Sequence, residues 1–92
     1  MDFKSYIAEA ISKATNINKD EIESYVEIPK DETNGDFAFP CFRLAKTLKK
    51  APQAIAEEIK EKIEIDNNII EKIEVLGGYI NFYINKKLLA KV

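Results

Sequence analysis

The apolar residues of this chain change period along its length, and each change marks an element. Phe3, Tyr6, Ile7, Ala10, Ile11 and Ala14 recur at the spacing of three and four that lines one face of a helix. Asp2 stands where a carboxylate would cap its first turn. In "INKDEI", Asn18 is a second N-cap, with Glu21 three residues on and Ile17 and Ile22 placed as a hydrophobic staple. A short helix is predicted there, ending before Pro29. The period then falls to two. "SYVEI" places Val26 and Ile28 on one face, and "DFAFP" follows the polar turn run "PKDETNG", which predicts strands over 25–28 and 36–39.

Pro40 closes the second strand, and "CFRLAKTLKK" turns helical through Leu44 and Leu48. Pro52 either kinks this helix or opens a new one, in which Ile55, Ile59 and Ile63 recur every four residues until "DNN" at 66–68. In "KIEVLGGYINFYI", Ile73 and Val75 alternate with Glu74, Gly77-Gly78 supply a tight turn, and a second alternating run follows. This predicts a hairpin. Its second strand carries Ile80, Phe82 and Ile84 on one face and Tyr79, Asn81 and Tyr83 on the other. The predicted class is α+β, in the order α-β-β-α-β-β. A four-stranded antiparallel sheet is covered by helices on one face and open on the other, where Tyr79, Asn81 and Tyr83 stand.

Composition narrows what such a fold can do. A chain of 92 residues with 46% apolar content supports one core, burying roughly 60 to 65% of its unfolded surface, and leaves little for a deep catalytic cleft. The chain has no histidine and one cysteine, which removes the commonest general base, a structural zinc site and an internal disulfide. No apolar run approaches the roughly 20 residues that span a bilayer. The N-terminal "MDFKSYIAEAI" lacks the basic start of a signal peptide. A cytoplasmic protein is expected. At the other end, Asn85 is placed to cap a helix whose apolar positions Leu88, Leu89 and Val92 have barely begun, so a further domain is expected after it.

The net charge of −2 is unevenly spread: −5 over 1–40, +4 over 41–50, −4 over 51–76 and +3 over 77–92. Arg43, Lys46 and Lys50, with Lys49 beside them, fall at i, i+3 and i+7, a cationic helix face suited to phosphates and equally to solvent. Lys86, Lys87 and Lys91 make a weaker cluster, and Glu57, Glu58, Glu61 and Glu64 read as an outer helix face. Aromatics on one face of an open sheet, here Tyr79 and Tyr83, are suited to stacking unpaired bases, and an asparagine between them, two residues from each, to reading a base edge. Strand propensity alone also favours tyrosine. Cys41 follows a proline at a helix start, but without a histidine base it reads as a small buried residue. Asp36 beside Gly35 reads as a turn or capping aspartate rather than a catalytic one.

Together, "NGDFAFPCFRLAKTLKKAPQAIAEEI" and "IEVLGGYINFYI" resemble the N-terminal additional domain of arginyl-tRNA synthetases. That family joins a Gly-Asp-aromatic strand, a Leu-Ala-Lys helix, a Pro-x-x-Ile-Ala helix and a Gly-aromatic-Ile-Asn strand. The likeness covers Gly35 to Ile84 closely and the preceding residues loosely. It implies that residues 1–85 form this domain and 86–92 begin a helix leading to a catalytic domain of the same chain. The domain's sheet would lean on the outer corner of tRNA, with Tyr79 and Asn81 meeting an unpaired base of the D-loop. The family's turn is usually Gly-Pro-Gly, whereas Gly77-Gly78 is shorter. His-Ile-Gly-His-type and Lys-Met-Ser-Lys-type signatures are absent, so no catalytic residue and no cofactor is assigned to this segment. ATP with Mg2+ is implied only for the full-length ligase. The RNA-binding candidates are Tyr79, Asn81, Tyr83, Arg43, Lys46 and Lys50. The expected partners are tRNA and the catalytic domain, with neither DNA nor a membrane. The rival reading is a structural or protein-interaction domain whose open sheet never meets RNA.

Overall fold

A computed structural model describes residues 2–30 and 35–89. The first two helices form where their caps place them. Helix α1 (Phe3–Thr15) begins with Asp2 Oδ1 accepting the Ser5 N–H at 3.1 Å. Helix α2 (Lys19–Tyr25) begins with Asn18 Oδ1 accepting the N–H groups of Asp20 and Glu21 at 2.9 and 3.2 Å. The remaining elements are β1 (Phe37–Pro40), a 3-10 turn (Cys41–Leu44), α3 (Ala45–Leu48), α4 (Pro52–Lys62), β2 (Ile70–Leu76), β3 (Tyr79–Ile84) and the short α5 (Lys86–Leu89).

The class is α+β as expected, but among the described residues the sheet has three strands, not four. They are ordered β1-β3-β2 and both pairings are antiparallel. The segment predicted as a strand over 25–28 is consumed from its N-terminal side by α2, which runs through Tyr25 and is closed by the Val26 N–H bonding back to Glu23. Only Glu27 reaches β1, exchanging two backbone hydrogen bonds of 2.8 Å with Ala38. Pro29, lacking an N–H, cannot extend that ladder. With no strand to enforce alternation, Val26 is buried while Ile28, expected on the same face, is 75% exposed. Most of the predicted turn that follows, residues 31–34, lies outside the described residues, as do 90–92 of the expected linking helix.

The continuous helix expected over 41–50 is also broken. It is a 3-10 turn and a single α-turn, stopped where Lys49 adopts a left-handed backbone with φ 54°. Pro52 then opens a separate helix at its first turn, where its missing N–H costs nothing. Helix α4 buries Ile55 and Ile59 and ends at Lys62, short of "DNN". Beyond it, Ile63 and Ile65 turn back against the core. In the "DNN" turn, Asp66 Oδ1 accepts the Asn68 N–H at 2.8 Å.

The hairpin is as predicted. Gly77 and Gly78 have φ of 55° and 87°, the positive pair that a two-residue type I′ connection requires, and Leu76 pairs with Tyr79 across it. Helix α4 packs on β2 and β3, and α1 on α2 and α4. They enclose one core containing Ile7, Ile11, Ile22, Phe39, Leu44, Ile55, Ile59, Ile70, Ile80, Phe82 and Ile84. β3 is the middle strand, so its inward residues are fixed from both sides and its outward residues are presented at the centre of the other face.

Candidate nucleic-acid interface

On that other face a pocket of about 470 Å³ opens beside β3, lined by Glu27, Ile28, Pro29, Lys30, Ala38, Leu76, Tyr79 and Asn81. This lies within the roughly 300–1,000 Å³ usual for small-molecule sites. Three features of the local sequence build it. Ala38 is the cross-strand neighbour of Asn81, and its small side chain leaves the space open. The single bridge at Glu27 brings residues 27–30 up as one wall. The tight turn sets Leu76 opposite Tyr79 as the other wall.

Asn81 is only 3% exposed, the sole polar residue among the described buried side chains. Among the described residues its amide makes no side-chain hydrogen bond, yet no fully enclosed side-chain nitrogen or oxygen lacks a partner. The residual accessibility of Asn81 therefore belongs to its polar end, which faces the pocket. Gly35 closes over its root. A Cβ on Gly35 would lie 3.4 Å from Asn81 Cβ and 2.9 Å from the Phe82 carbonyl oxygen, and its φ of +94° is one that side-chain-bearing residues seldom adopt. Asp36 locks this approach. Its N–H donates to the Phe82 carbonyl at 2.9 Å, and its carboxylate accepts the Ile84 N–H at 2.8 Å. The aspartate is structural, as its sequence position suggests, and the Gly-Asp pair is what seats Asn81.

Tyr79 is half-buried and touches Phe42 edge-to-face, with ring centroids 5.7 Å apart. Arg43 lies over the rings of Tyr25 at 5.6 Å and Phe42 at 5.9 Å. Sequence reading singled out Arg43 but missed both rings; the signal available was the aromatic flanking the arginine in "CFRL". Tyr83 stands outside the pocket, with Lys72 5.1 Å over its ring and Lys72 in turn paired with Glu74 at 3.1 Å. That hydrogen bond to Glu74 raises the Lys72 pKa and keeps the ammonium charged.

The expected cationic row does not form, because the helix that would carry it is broken after Leu48. Arg43 lies over Tyr25 and Phe42, Lys46 is exposed on α3, and Lys50 turns to the helical layer, where it pairs with Glu58. Glu58 also takes Lys62 at 2.9 Å, and these hydrogen bonds, that from Lys50 foremost, bring its pKa down to about 2. Cys41 is fully buried and its thiol is pushed up to about 12 by desolvation, the opposite of an activated nucleophile. Among the described residues no group of three or more acidic, cysteine or histidine side chains converges to hold a metal ion. No described helix is long and apolar enough to cross a membrane.

Residues 1–84 match the family described as "Arginyl tRNA synthetase N terminal domain". The chain belongs to that family. It is 48% identical over 91 residues to an arginine–tRNA ligase of Clostridium botulinum strain Hall, an alignment that takes in 99% of this chain and 16% of the relative. An arginine–tRNA ligase of Clostridium kluyveri is 46% identical over the same span. Among solved structures, Thermus thermophilus arginyl-tRNA synthetase superposes with a TM-score of 0.75 at 32% identity, over 94% of this chain and 14% of that one. The chain thus spans about one sixth of the ligases it matches. The resemblance drawn from the Gly-Asp strand and the Gly-Tyr-Ile-Asn strand is borne out at the level of the family.

Proposed function

We propose that this chain is the tRNA-docking part of a cytoplasmic arginine–tRNA ligase and grips an unpaired base of the tRNA D-loop. ATP with Mg2+ and the arginylation chemistry belong to a catalytic domain of the same ligase. The observation that carries the reading is that Tyr79 and Asn81 share one open-face pocket, with the Asn81 amide turned toward it and making no side-chain hydrogen bond among the described residues. A ring beside a seated amide is the pair of functions a single-stranded base demands: a π surface to lie on and a donor and acceptor for its edge. Tyr79 supplies the stacking surface and Asn81 the reading group. Arg43 and Lys46 supply attraction to phosphate, and Lys50 is drawn off by Glu58.

A protein-facing role has one observation in its favour, the apolar rim of Ile28, Leu76 and Phe42, exposed by 75, 55 and 47%. Aminoacylation by the full-length ligase separates the two. With native tRNA, Tyr79→Ala should cost about 1–3 kcal/mol in kcat/KM, the range for one base–aromatic stack. Asn81→Ala should chiefly reduce discrimination between native tRNA and a D-loop variant. If both substitutions leave the native-to-variant ratio where it was, the docking reading is wrong and the protein-facing one replaces it.

A further inference from the structure

Beyond the pocket, four side chains from three separate segments form one continuous ladder. Tyr79 of β3 meets Phe42 edge-to-face, Arg43 lies over Phe42, and Arg43 also lies over Tyr25 at the end of α2. Of these four, Tyr25 leans on the core. Phe42 is 47% exposed and Arg43 is exposed, although the neighbouring Cys41 and Leu44 of the same turn are fully buried. The 3-10 geometry causes this split. Its three-residue period puts Cys41 and Leu44 on the inward side and turns Phe42 and Arg43 outward together. At 47% exposure the Phe42 ring keeps open surface beside its contacts with Arg43 and Tyr79. A guanidinium lying over two rings is held in place while its in-plane N–H groups suit a phosphate.

We propose that this ladder is a second nucleotide subsite: Phe42 stacks the base next to the one held by Tyr79, and Arg43 takes the phosphate between them. The inference rests on the docking reading and extends it from one nucleotide to two. The occupant is RNA rather than a protein surface because a cation stands at the centre of the apolar strip. Phosphate satisfies that cation, and an apolar protein face does not.

The test is a set of tRNAs in which each D-loop nucleotide in turn is made abasic, charged by the full-length ligase carrying Tyr79→Ala, Phe42→Ala, Phe42→Tyr or Arg43→Ala. The tRNA on which Tyr79→Ala becomes silent marks the pocket nucleotide. On native tRNA, Phe42→Ala should raise KM about tenfold, the loss expected of one stack, with kcat held. Phe42→Tyr should restore it. On the tRNA abasic at one immediate neighbour of the pocket nucleotide, Phe42→Ala should have no effect. Arg43→Ala should weaken all these tRNAs and lower the slope of log affinity against log salt by about one. If no abasic position silences Tyr79→Ala, the docking reading fails and the subsite falls with it. If one does, but Phe42→Ala costs the same on every tRNA, the docking reading stands and the ladder is structural or protein-facing. Unchanged thermal unfolding of the half-exposed Phe42→Ala variant shows that the fold is intact.

Discussion

The two faces of β3 are made by the same six residues under the same backbone constraints, yet they do different work. Ile80, Phe82 and Ile84 are at most 1% exposed and packed among residues of α1, α2 and α4. Tyr79 and Tyr83 are half-buried, and Asn81 is buried against Gly35 and Ala38 rather than in the core. The inner face holds the register on behalf of the outer. A slip of one residue would turn Tyr79, Asn81 and Tyr83 into the core and expose an isoleucine–phenylalanine–isoleucine row. Burial on one side thereby fixes a recognition geometry on the other, and side chains on the outer face can change without threatening the fold.

The largest expected effect tests that division directly. Phe82→Ala should destabilise by about 3–5 kcal/mol, because a fully buried ring is lost from the middle strand. Tyr79→Ala should shift stability by less than about 1 kcal/mol while still lowering tRNA use. Urea unfolding at constant m-value measures both. Comparable stability losses would mean that the outer face is also structural.

The next effect sits where the faces meet. Gly35→Ala places a methyl 2.9 Å from the Phe82 carbonyl oxygen at a φ of +94°. The expected cost is about 1–3 kcal/mol, from strain in a positive-φ position. Displacement of Asn81 should also reproduce the loss of D-loop discrimination seen in Asn81→Ala. Asp36→Asn retains an oxygen able to accept the Ile84 N–H and should be milder than Asp36→Ala, as midpoints of unfolding would show.

How much of this was legible in the sequence follows from the range of the forces involved. The caps at Asp2 and Asn18, the glycine turn at 77–78 and the inward triplet of β3 are set within a few residues, and they stand where the pattern placed them. The strand over 25–28 failed because "SYVEI" alternates within a segment that α2 claims first, and only tertiary contact with Ala38 decides how much remains. The row Arg43, Lys46, Lys50 failed for a related reason. Regular spacing presupposes a regular helix, and Lys49 leaves the helical region. Pairing Tyr79 with Asn81 was legible from period two. The Gly35 clamp, and the meeting of Tyr25 and Tyr79 with the adjacent Phe42–Arg43 pair, join residues far apart in the chain, which no local pattern reports.

The smallest expected effect concerns the two ends of the basic segment. Arg43 lies over the rings of Tyr25 and Phe42, while Lys50 is held by Glu58, whose pKa falls to about 2 from an ordinary 4.5 chiefly through the Lys50 hydrogen bond and then that of Lys62. A carboxylate with a depressed folded-state pKa contributes stability that is fully present above 4.5 and is lost as pH falls toward 2. Glu58→Gln should therefore flatten stability against pH across that window. The change should be small, because the cluster is exposed and salt screens it. The same variant releases Lys50, and this sharpens the contrast between the two ends. If Lys50 belongs to the helical layer, tRNA charging by Glu58→Gln should match the parent at every salt concentration. Tighter tRNA use at low salt would instead show that Lys50 can reach phosphate once freed, and the basic segment would have to be read as one continuous surface after all.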